Sequence, residues 1–412
     1  MFIGGTALTW SSPEIPILSN TTSSPFKRKL STEEETWVSS LVTLGAAFGP
    51  FFFTFLADKM GRKYTLLSMG VPFLVSYIML AFGQIVELFY VARFVMGITV
   101  GGVFTLVPIY AGEVAKRSNR GTLGFLMGSA VCSGLLFSCA LGPYVSVKLF
   151  NLVLAAINEP DLAKEALQKL RGSSDDIDEE FNEIQRKFKE DERGSFSDIF
   201  RSKGLIKAFV TSVGLLIFQQ LSGINAVLFY GQKIFQEVGS KLPPEVCTII
   251  IASVQFVSSF IAPLIGDKLG RKCILLFSAV GMAVSEISLG VYSYLKDHNH
   301  MDMSRVSYLP LVLMTCFIIT YNTGYGPLPW SMLGELFPPR VKSIATSSVT
   351  SINWILAFFI TKHFEAMIKA FGIAQYFWIF GGCCLVAAAF AKFYVIETRG
   401  KSLQQIQEAL NR

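Results

Sequence analysis

The densest cluster of polar side chains inside an apolar stretch is Gln219-Gln220-Leu221-Ser222-Gly223-Ile224-Asn225. Carboxamides offer both donors and acceptors and carry no charge, so this set suits a neutral, many-hydroxyl ligand. A charged ligand would favour a buried opposite charge, and none is obvious nearby. On an ideal helix Gln219, Gly223 and Tyr230 share a stripe, Gln220 lies beside it, and Asn225 falls off that face. Asn225 joins the others only if the helix bends near Ser222-Gly223, which a glycine permits. Glutamine and asparagine also tie helices to one another. Three amides within seven residues tilt the reading towards ligand binding. Gln255 adds an amide further on. A second unusual stretch runs Asn322-Thr323-Gly324-Tyr325-Gly326-Pro327-Leu328-Pro329-Trp330. Glycine and proline break a helix there, where a cavity or neighbouring helices can satisfy the freed backbone groups. Trp330 has a face on which a ring could stack, or serves as an interface aromatic. Asn353-Trp354 is a further polar-aromatic pair.

Charged residues form a second constellation. Asp58-Lys59-Met60-Gly61-Arg62-Lys63 is echoed by Asp267-Lys268-Leu269-Gly270-Arg271-Lys272. Pro108…Gly112-Glu113 is echoed by Pro329…Gly334-Glu335, each followed by an arginine, Arg120 and Arg340. A repeat of this kind marks two related halves around a central site. Carboxylates at helix ends can pair with arginines of neighbouring helices, and at a water boundary each pair is weak enough to break and re-form. These charges also anchor loops and set orientation. The repeated pattern favours a gating network of Asp58, Arg62, Glu113, Arg120, Asp267, Arg271, Glu335 and Arg340.

The elements that carry these residues are membrane helices. The chain has 412 residues, is 51% hydrophobic and only 16% charged, whereas soluble domains carry about 25% charged residues. Apolar blocks run approximately 37–57, 64–83, 87–112, 121–142, 206–231, 247–266, 273–295, 308–330, 343–360 and 374–395. Their length matches the ~20 residues needed to cross a hydrocarbon core. Residues 158–204 lack such a block. Leu162, Ala166, Leu170 and Phe181, Ile184, Phe188 have the spacing of short amphipathic helices on a membrane face. The expected organisation is therefore an N-terminal bundle (1–157), a cytoplasmic linker (158–204), a C-terminal bundle (205–395) and a cytoplasmic tail (396–412). Basic residues follow the first, third, sixth, eighth and last blocks, which places those loops in the cytoplasm. Lys27–Lys29 is the exception, in a segment expected outside. Asn20-Thr21-Thr22 in that segment is a candidate glycosylation acceptor. Arg93, just inside a span, can snorkel outward, pair with a buried carboxylate or anchor its helix.

Other classes fit poorly. The net charge of +6 is scattered and does not make a nucleic-acid surface. The seven cysteines lie mostly in apolar runs and read as packing residues. His298 and His300 read as a solvated loop, so no metal and no cofactor is expected. No nucleophile–base constellation or phosphate loop suggests an enzyme. Residues 1–10 lack a charged leader and cleavage site, so no cleavable signal is expected.

Taken together, these motifs closely resemble the sugar porter family of the major facilitator superfamily, which includes animal glucose transporters and insect facilitated trehalose transporters. Gln219–Asn225 resembles that family's seventh-helix signature, and Gly324–Trp330 its tenth-helix segment. Arg120-Gly121-Thr122-Leu123-Gly124 and Glu397-Thr398-Arg399-Gly400 resemble its cytoplasmic motifs. The linker around Ala163–Gly172 looks like the insect trehalose branch. The resemblance implies an all-α polytopic membrane protein of two helical bundles, with about ten full spans here and helices 1 and 6 truncated. It implies a sugar site of Gln219, Gln220, Asn225, Gln255, Asn322, Trp330 and Trp354, and facilitated uptake of trehalose or a hexose across the plasma membrane by alternating access. Its partners would be the sugar and the lipid bilayer. The alternatives are proton-coupled symport, in which an aspartate on helix 1 partners Arg93, and a transport-impaired chain acting as a non-transporting partner.

The chain departs from the family at several points. Helix 1 reads as Met1–Trp10, and helix 6 as Leu149–Ile157, about 14 Å at helical rise. The usual Pro-Glu-Ser-Pro motif is absent. Cys139 stands where the fifth-helix glutamine is expected, Asn322 where an acidic residue is, Ala357 for an asparagine and Ile396 for a proline. Four full spans from an outside start would leave the linker on the wrong side. The sequence therefore predicts a shortened sugar-porter fold, impaired in transport.

Overall fold

The computed structural model describes residues 1–21, 23–114, 120–157, 196–260, 269–298, 306–399, 401 and 403–411, with the side chains of 112–125 outside that set. The expected amphipathic helices around Leu162–Leu170 and Phe181–Phe188 therefore lie outside the described residues, as do His300 and Thr22. Among the described residues the only regular structure is helical. Eight helical stretches are long and apolar enough to cross a membrane.

The chain begins with α1 (Phe2–Thr9) and α2 (Ser11–Leu18), which together make a partial first span. This span is longer than the expected Met1–Trp10. Pro13 does not end it, because it falls in the first turn of α2, where its missing N–H has no partner to lose. Then come α3 (Thr32–Met60), α4 (Arg62–Ser68), α5 (Gly70–Phe82), α6 (Val86–Val114), α7 (Arg120–Leu141) and α8 (Val147–Ile157). After the linker come α9 (Lys203–Gln220), α10 (Ile224–Val238), α11 (Pro244–Ser258), α12 (Arg271–His298), α13 (Leu309–Thr323), α14 (Leu328–Leu336), α15 (Pro339–Phe371) and α16 (Ile373–Phe393). A short α17 (Leu403–Asn411) packs on α9, and its Gln407 donates to the Leu336 carbonyl at 2.7 Å.

Local sequence sets the ends of these helices. Ser31 caps α3 with its hydroxyl on the Glu34 N–H, and Glu34 answers on the Ser31 N–H, a reciprocal cap that occupies two otherwise orphaned donors. The α3–α6 contact is the closest in the N-terminal set. A Cβ on Gly101 would stand 2.1 Å from the Ala46 carbonyl oxygen. Only a missing side chain allows backbones to approach so closely, and in lipid such dispersion contacts carry helix association.

α3 and α15 run antiparallel and join the two sets of helices along their length. Near one end the Lys362 ammonium donates to Thr36 Oγ1 at 2.9 Å and sits over the Trp37 ring at 4.2 Å. Towards the other, Thr54 and Ser347 hydroxyls meet at 3.4 Å. The second end also carries Asp58, Arg62, Arg271, Arg340 and Glu397. It is the basic end, which positive-inside reasoning places in the cytoplasm.

The described residues fix the two flanks of the linker. α8 packs on α5 and starts at the end opposite the basic one, with Lys148 over the Phe82 ring at 4.8 Å. The chain reappears at Phe196–Arg201, a 3-10 turn whose Asp198 reaches Arg340 at 3.5 Å. The linker therefore ends at the basic end, as the C-terminal helices require.

The Gly101 contact gives a direct test. Gly101→Leu should lower the stability of the detergent-solubilised protein by about 1–3 kcal/mol or more, through overpacking against Ala46. A fall in thermal midpoint, followed by size-exclusion fluorescence, is the expected outcome.

Candidate functional site

The amide cluster sits at a helix break. α9 ends at Gln220 and α10 starts at Ile224, and between them Gly223 adopts φ +72°, a left-handed conformation that suits glycine. The bend required to bring Asn225 back towards the glutamines is therefore present. Asn225 Nδ2 donates to Gln220 Oε1 at 2.6 Å, and Gln220 Nε2 donates to Asn353 Oδ1 on α15 at 3.0 Å. The result is a relay of three buried amides, Asn225–Gln220–Asn353.

Gln219 points elsewhere. Its Nε2 donates to the carbonyls of Tyr325 at 2.6 Å and Gly326 at 3.0 Å. These residues lie in the break between α13 and α14, where helical bonding lapses. Gln219 thus satisfies the carbonyls that the Gly-Tyr-Gly-Pro sequence frees, as membrane burial demands. Asn322 also acts between helices: its Nδ2 donates to the Gln255 carbonyl at 3.0 Å and to Ser258 Oγ at 2.7 Å, tying α13 to α11. Of the candidate binding residues, Gln219 and Asn322 are the ones whose amide nitrogens are occupied by protein backbone.

Buried polar atoms without a partner mark where something is missing, because burying such an atom costs roughly 1–3 kcal/mol. Among the described residues these include Gln255 Oε1, Asn353 Nδ2, Trp354 Nε1 and Gln232 Nε2. The first three belong to the α11 and α15 segments around the amide relay. They provide one acceptor and two donors, a set matched to hydroxyl groups. Trp354 is buried and Trp330 is half-buried. Both approach Phe104 of α6, with ring centroids 5.8 Å and 6.2 Å away. Sequence reasoning named Trp330 and Trp354 but assigned no role to Asn353, and it passed over Phe104 and Gln232. Asn353 had a signal, a polar residue in an apolar span beside a tryptophan. Phe104 had none, since one aromatic in an apolar helix looks like any other.

Arg93 is fully buried. Its guanidinium donates to the carbonyls of Ala7 at 2.8 Å and Val38 at 3.1 Å, with Ser39 O and Ser11 Oγ at 3.5 Å. It also lies over the Trp10 ring at 4.9 Å. Among the described residues its partners are carbonyls, a hydroxyl, the Met96 sulfur and this ring, so it neither snorkels nor meets a carboxylate. It anchors α6 to α1, α2 and α3.

At the end opposite the basic one, Lys233 of α10 donates to both Glu35 of α3 and Glu365 of α15, and Ser19 donates to Glu35. This cluster ties α2, α3, α10 and α15 together across the two sets of helices. No sequence motif announced it.

The basic end holds the candidate gating residues. Asp58 and Arg62 are 3.8 Å apart within one turn. Arg271 pairs with Glu335 at 3.5 Å, and Thr398 donates to Glu335 at 2.6 Å. Arg340 pairs with Asp198 at 3.5 Å. Glu397 caps α12, accepting the backbone N–H groups of Arg271 at 3.0 Å and Lys272 at 3.1 Å. Partial burial pushes this carboxyl up, but the three N–H donors of Arg399, Arg271 and Lys272 and the Arg271 charge outweigh it and hold it below its ordinary value. Asp267 and the side chains of Glu113 and Arg120 lie outside the described residues.

Among the described residues, an all-helical fold with spans broken at Gly223 and Gly324–Pro327 and bridged by Gln219, an amide relay from the first break to α15, and ion pairs at one end make the architecture of a membrane transporter of the major facilitator type. The family described as "Sugar (and other) transporter" matches residues 7–150 and 153–410, and the chain belongs to it. A facilitated trehalose transporter of Polypedilum vanderplanki is 34% identical, covering 98% of this chain and 85% of that one. Another, from Aedes aegypti, is 35% identical and covers 93% of this chain. The chain spans only 50% of that relative's length. Among solved structures, the proton:xylose symporter XylE bound to 6-bromo-6-deoxy-D-glucose superposes with a TM-score of 0.75 at 22% identity, covering 100% of this chain and 97% of its own. Its inward-open form gives 0.76 at 20% identity, covering 99% and 97%. At these identities the likeness speaks for the fold.

Two outcomes test this geometry. Lys233→Met leaves Glu35 and Glu365 facing each other without their cation. Breaking a fully buried pair costs about 3–5 kcal/mol, and this half-buried one should cost less, about 1–3 kcal/mol in thermal unfolding. Adding Glu365→Gln should recover part of that loss. For Glu397, the depressed value means its contribution is fully present above the ordinary carboxylate range and fades as pH falls through that depressed value. The acid limb of a thermal-midpoint-versus-pH profile should therefore flatten in Glu397→Gln.

Proposed function

We propose that this chain is a carrier that moves a sugar, trehalose or a hexose, by facilitated diffusion and alternating access across the plasma membrane. The observation that carries this reading is the buried Asn225–Gln220–Asn353 relay flanked by the unpartnered Gln255 Oε1, Asn353 Nδ2 and Trp354 Nε1. Uncharged donors and acceptors in a dry site match hydroxyls, with an aromatic surface at Trp330 and Trp354 for the apolar face of a sugar ring. In this reading Gln220, Asn225, Gln255, Trp330 and Trp354 contact the sugar, and Gln219 and Asn322 shape the site through the backbone groups they hold. The relatives' names, facilitated trehalose transporters, point to the same substrate class.

Rocking of the two sets of helices requires contacts that break at each end. At the basic end the Arg271–Glu335 pair and the segments around Asp58–Arg62, Glu113–Arg120 and Asp267 supply the inner gate, and the Lys233 cluster closes the opposite end. Arg93 favours facilitation over proton coupling, since its described hydrogen bonds run to carbonyls, a hydroxyl and a sulfur and hold helices together. Asn20, exposed beyond α2, is the proposed glycan acceptor on the outer side.

Uptake of labelled sugar in oocytes expressing this exact chain tests the reading. Saturable uptake, unchanged by a pH jump, is the expected result and removes the idea of impaired transport. Absence of uptake by surface-expressed protein supports the impaired reading instead. Gln220→Ala breaks the relay on both sides and should raise the KM about tenfold, by the ~1–3 kcal/mol of a lost buried hydrogen-bond partner.

A further inference from the structure

Phe104 crosses between the two sets of helices at the level of the candidate site. It projects from α6, yet its ring meets both tryptophans of the C-terminal helices: Trp330 of α14 at 6.2 Å with planes inclined 48°, and Trp354 of α15 at 5.8 Å with planes at 77°. The second is an edge-to-face contact, so the three rings form a corner rather than an open slot. α1 passes behind the ring: a Cβ placed on Gly4 would lie 3.4 Å from Phe104 Cε2, so glycine leaves the space of one methyl group there. Trp354 Nε1 and the neighbouring Asn353 Nδ2 are buried without a partner on the same helix that Phe104 abuts. A ligand satisfying those two donors therefore has an aromatic wall contributed by the N-terminal helices beside it.

We propose that Phe104 is the size-determining residue of the site, a wall that admits one pyranose ring and disfavours a second, so that the preferred substrate is a monosaccharide rather than a disaccharide. This inference rests on the sugar-carrier reading above. The physical content is steric. An aromatic ring in contact with both tryptophans occupies the space on the α6 side of the corner. A second sugar ring extending there must displace it or leave its own hydroxyls against apolar carbon. Specificity of this kind comes from penalising the larger ligand, not from binding the smaller one more tightly.

Equilibrium dialysis of the purified full chain in detergent, with labelled glucose and labelled trehalose separately, tests it without requiring transport. The wild-type chain should bind glucose more tightly than trehalose. Phe104→Ala should shrink that preference by about fivefold or more, chiefly by tightening trehalose, in line with the 10–200-fold span available to a steric pocket. Phe104→Leu, which keeps most of the bulk, should stay near wild type and serves as the folding control, with both variants checked for monodispersity. A glucose-to-trehalose ratio unmoved by Phe104→Ala in folded protein overturns the proposal while leaving the carrier reading intact, as does tighter binding of trehalose by the wild type. Absence of saturable binding of either sugar by folded wild-type protein overturns the carrier reading and this inference with it.

Discussion

The constraint on which the rest depends is that no water is available, inside the hydrocarbon layer, to satisfy a polar group. A membrane helix that breaks must hand its freed carbonyls and N–H groups to other parts of the protein. Two spans break here, at Gly223 and at Gly324–Pro327, and the second is served in part from beside the first. Gln219, last but one in α9, reaches across to the Tyr325 and Gly326 carbonyls. The Tyr325 N–H goes to Ser278 of α12 at 3.1 Å, and its hydroxyl to the Ala387 carbonyl of α16. The first break thus supports the second, and the amides left over face one another in the Asn225–Gln220–Asn353 relay.

The same accounting explains Arg93. A guanidinium carries five donors, and burying it without partners would be prohibitive. Here carbonyls of α1 and α3 take that role, so a residue that reads in the sequence as a candidate for charge coupling becomes a pin between helices. It also separates the occupied amides from the unoccupied ones. Gln219 and Asn322 resolve the protein's own backbone and side-chain needs, whereas Gln255, Asn353 and Trp354 keep atoms that nothing among the described residues satisfies. That residue-by-residue distinction is what turns a polar cluster into a site with a preferred ligand chemistry.

Much of the fold was legible in the sequence because the membrane imposes a length and a composition. Over the described residues, each apolar block of the sequence is one helix or a helix broken in two. The bend at Ser222-Gly223 was legible too, since Asn225 could join the glutamines in no other way. Three things were not. The first helix read as Met1–Trp10, but the chain stays helical past Pro13, in the first turn of α2, and past Pro16, inside it, to Leu18. The Lys233 cluster joins residues far apart in sequence whose types are ordinary for loop ends. Phe104 is one of 36 phenylalanines, and only a three-dimensional neighbourhood distinguishes it.

The most direct measurement is an experimental structure of the full chain determined in saturating glucose. The account predicts ligand density between α6, α11 and α15, with sugar oxygens within hydrogen-bonding distance of Asn353 Nδ2, Gln255 Oε1 and Trp354 Nε1. Density for the sugar elsewhere, or those three atoms occupied by ordered water at saturating ligand, would contradict it.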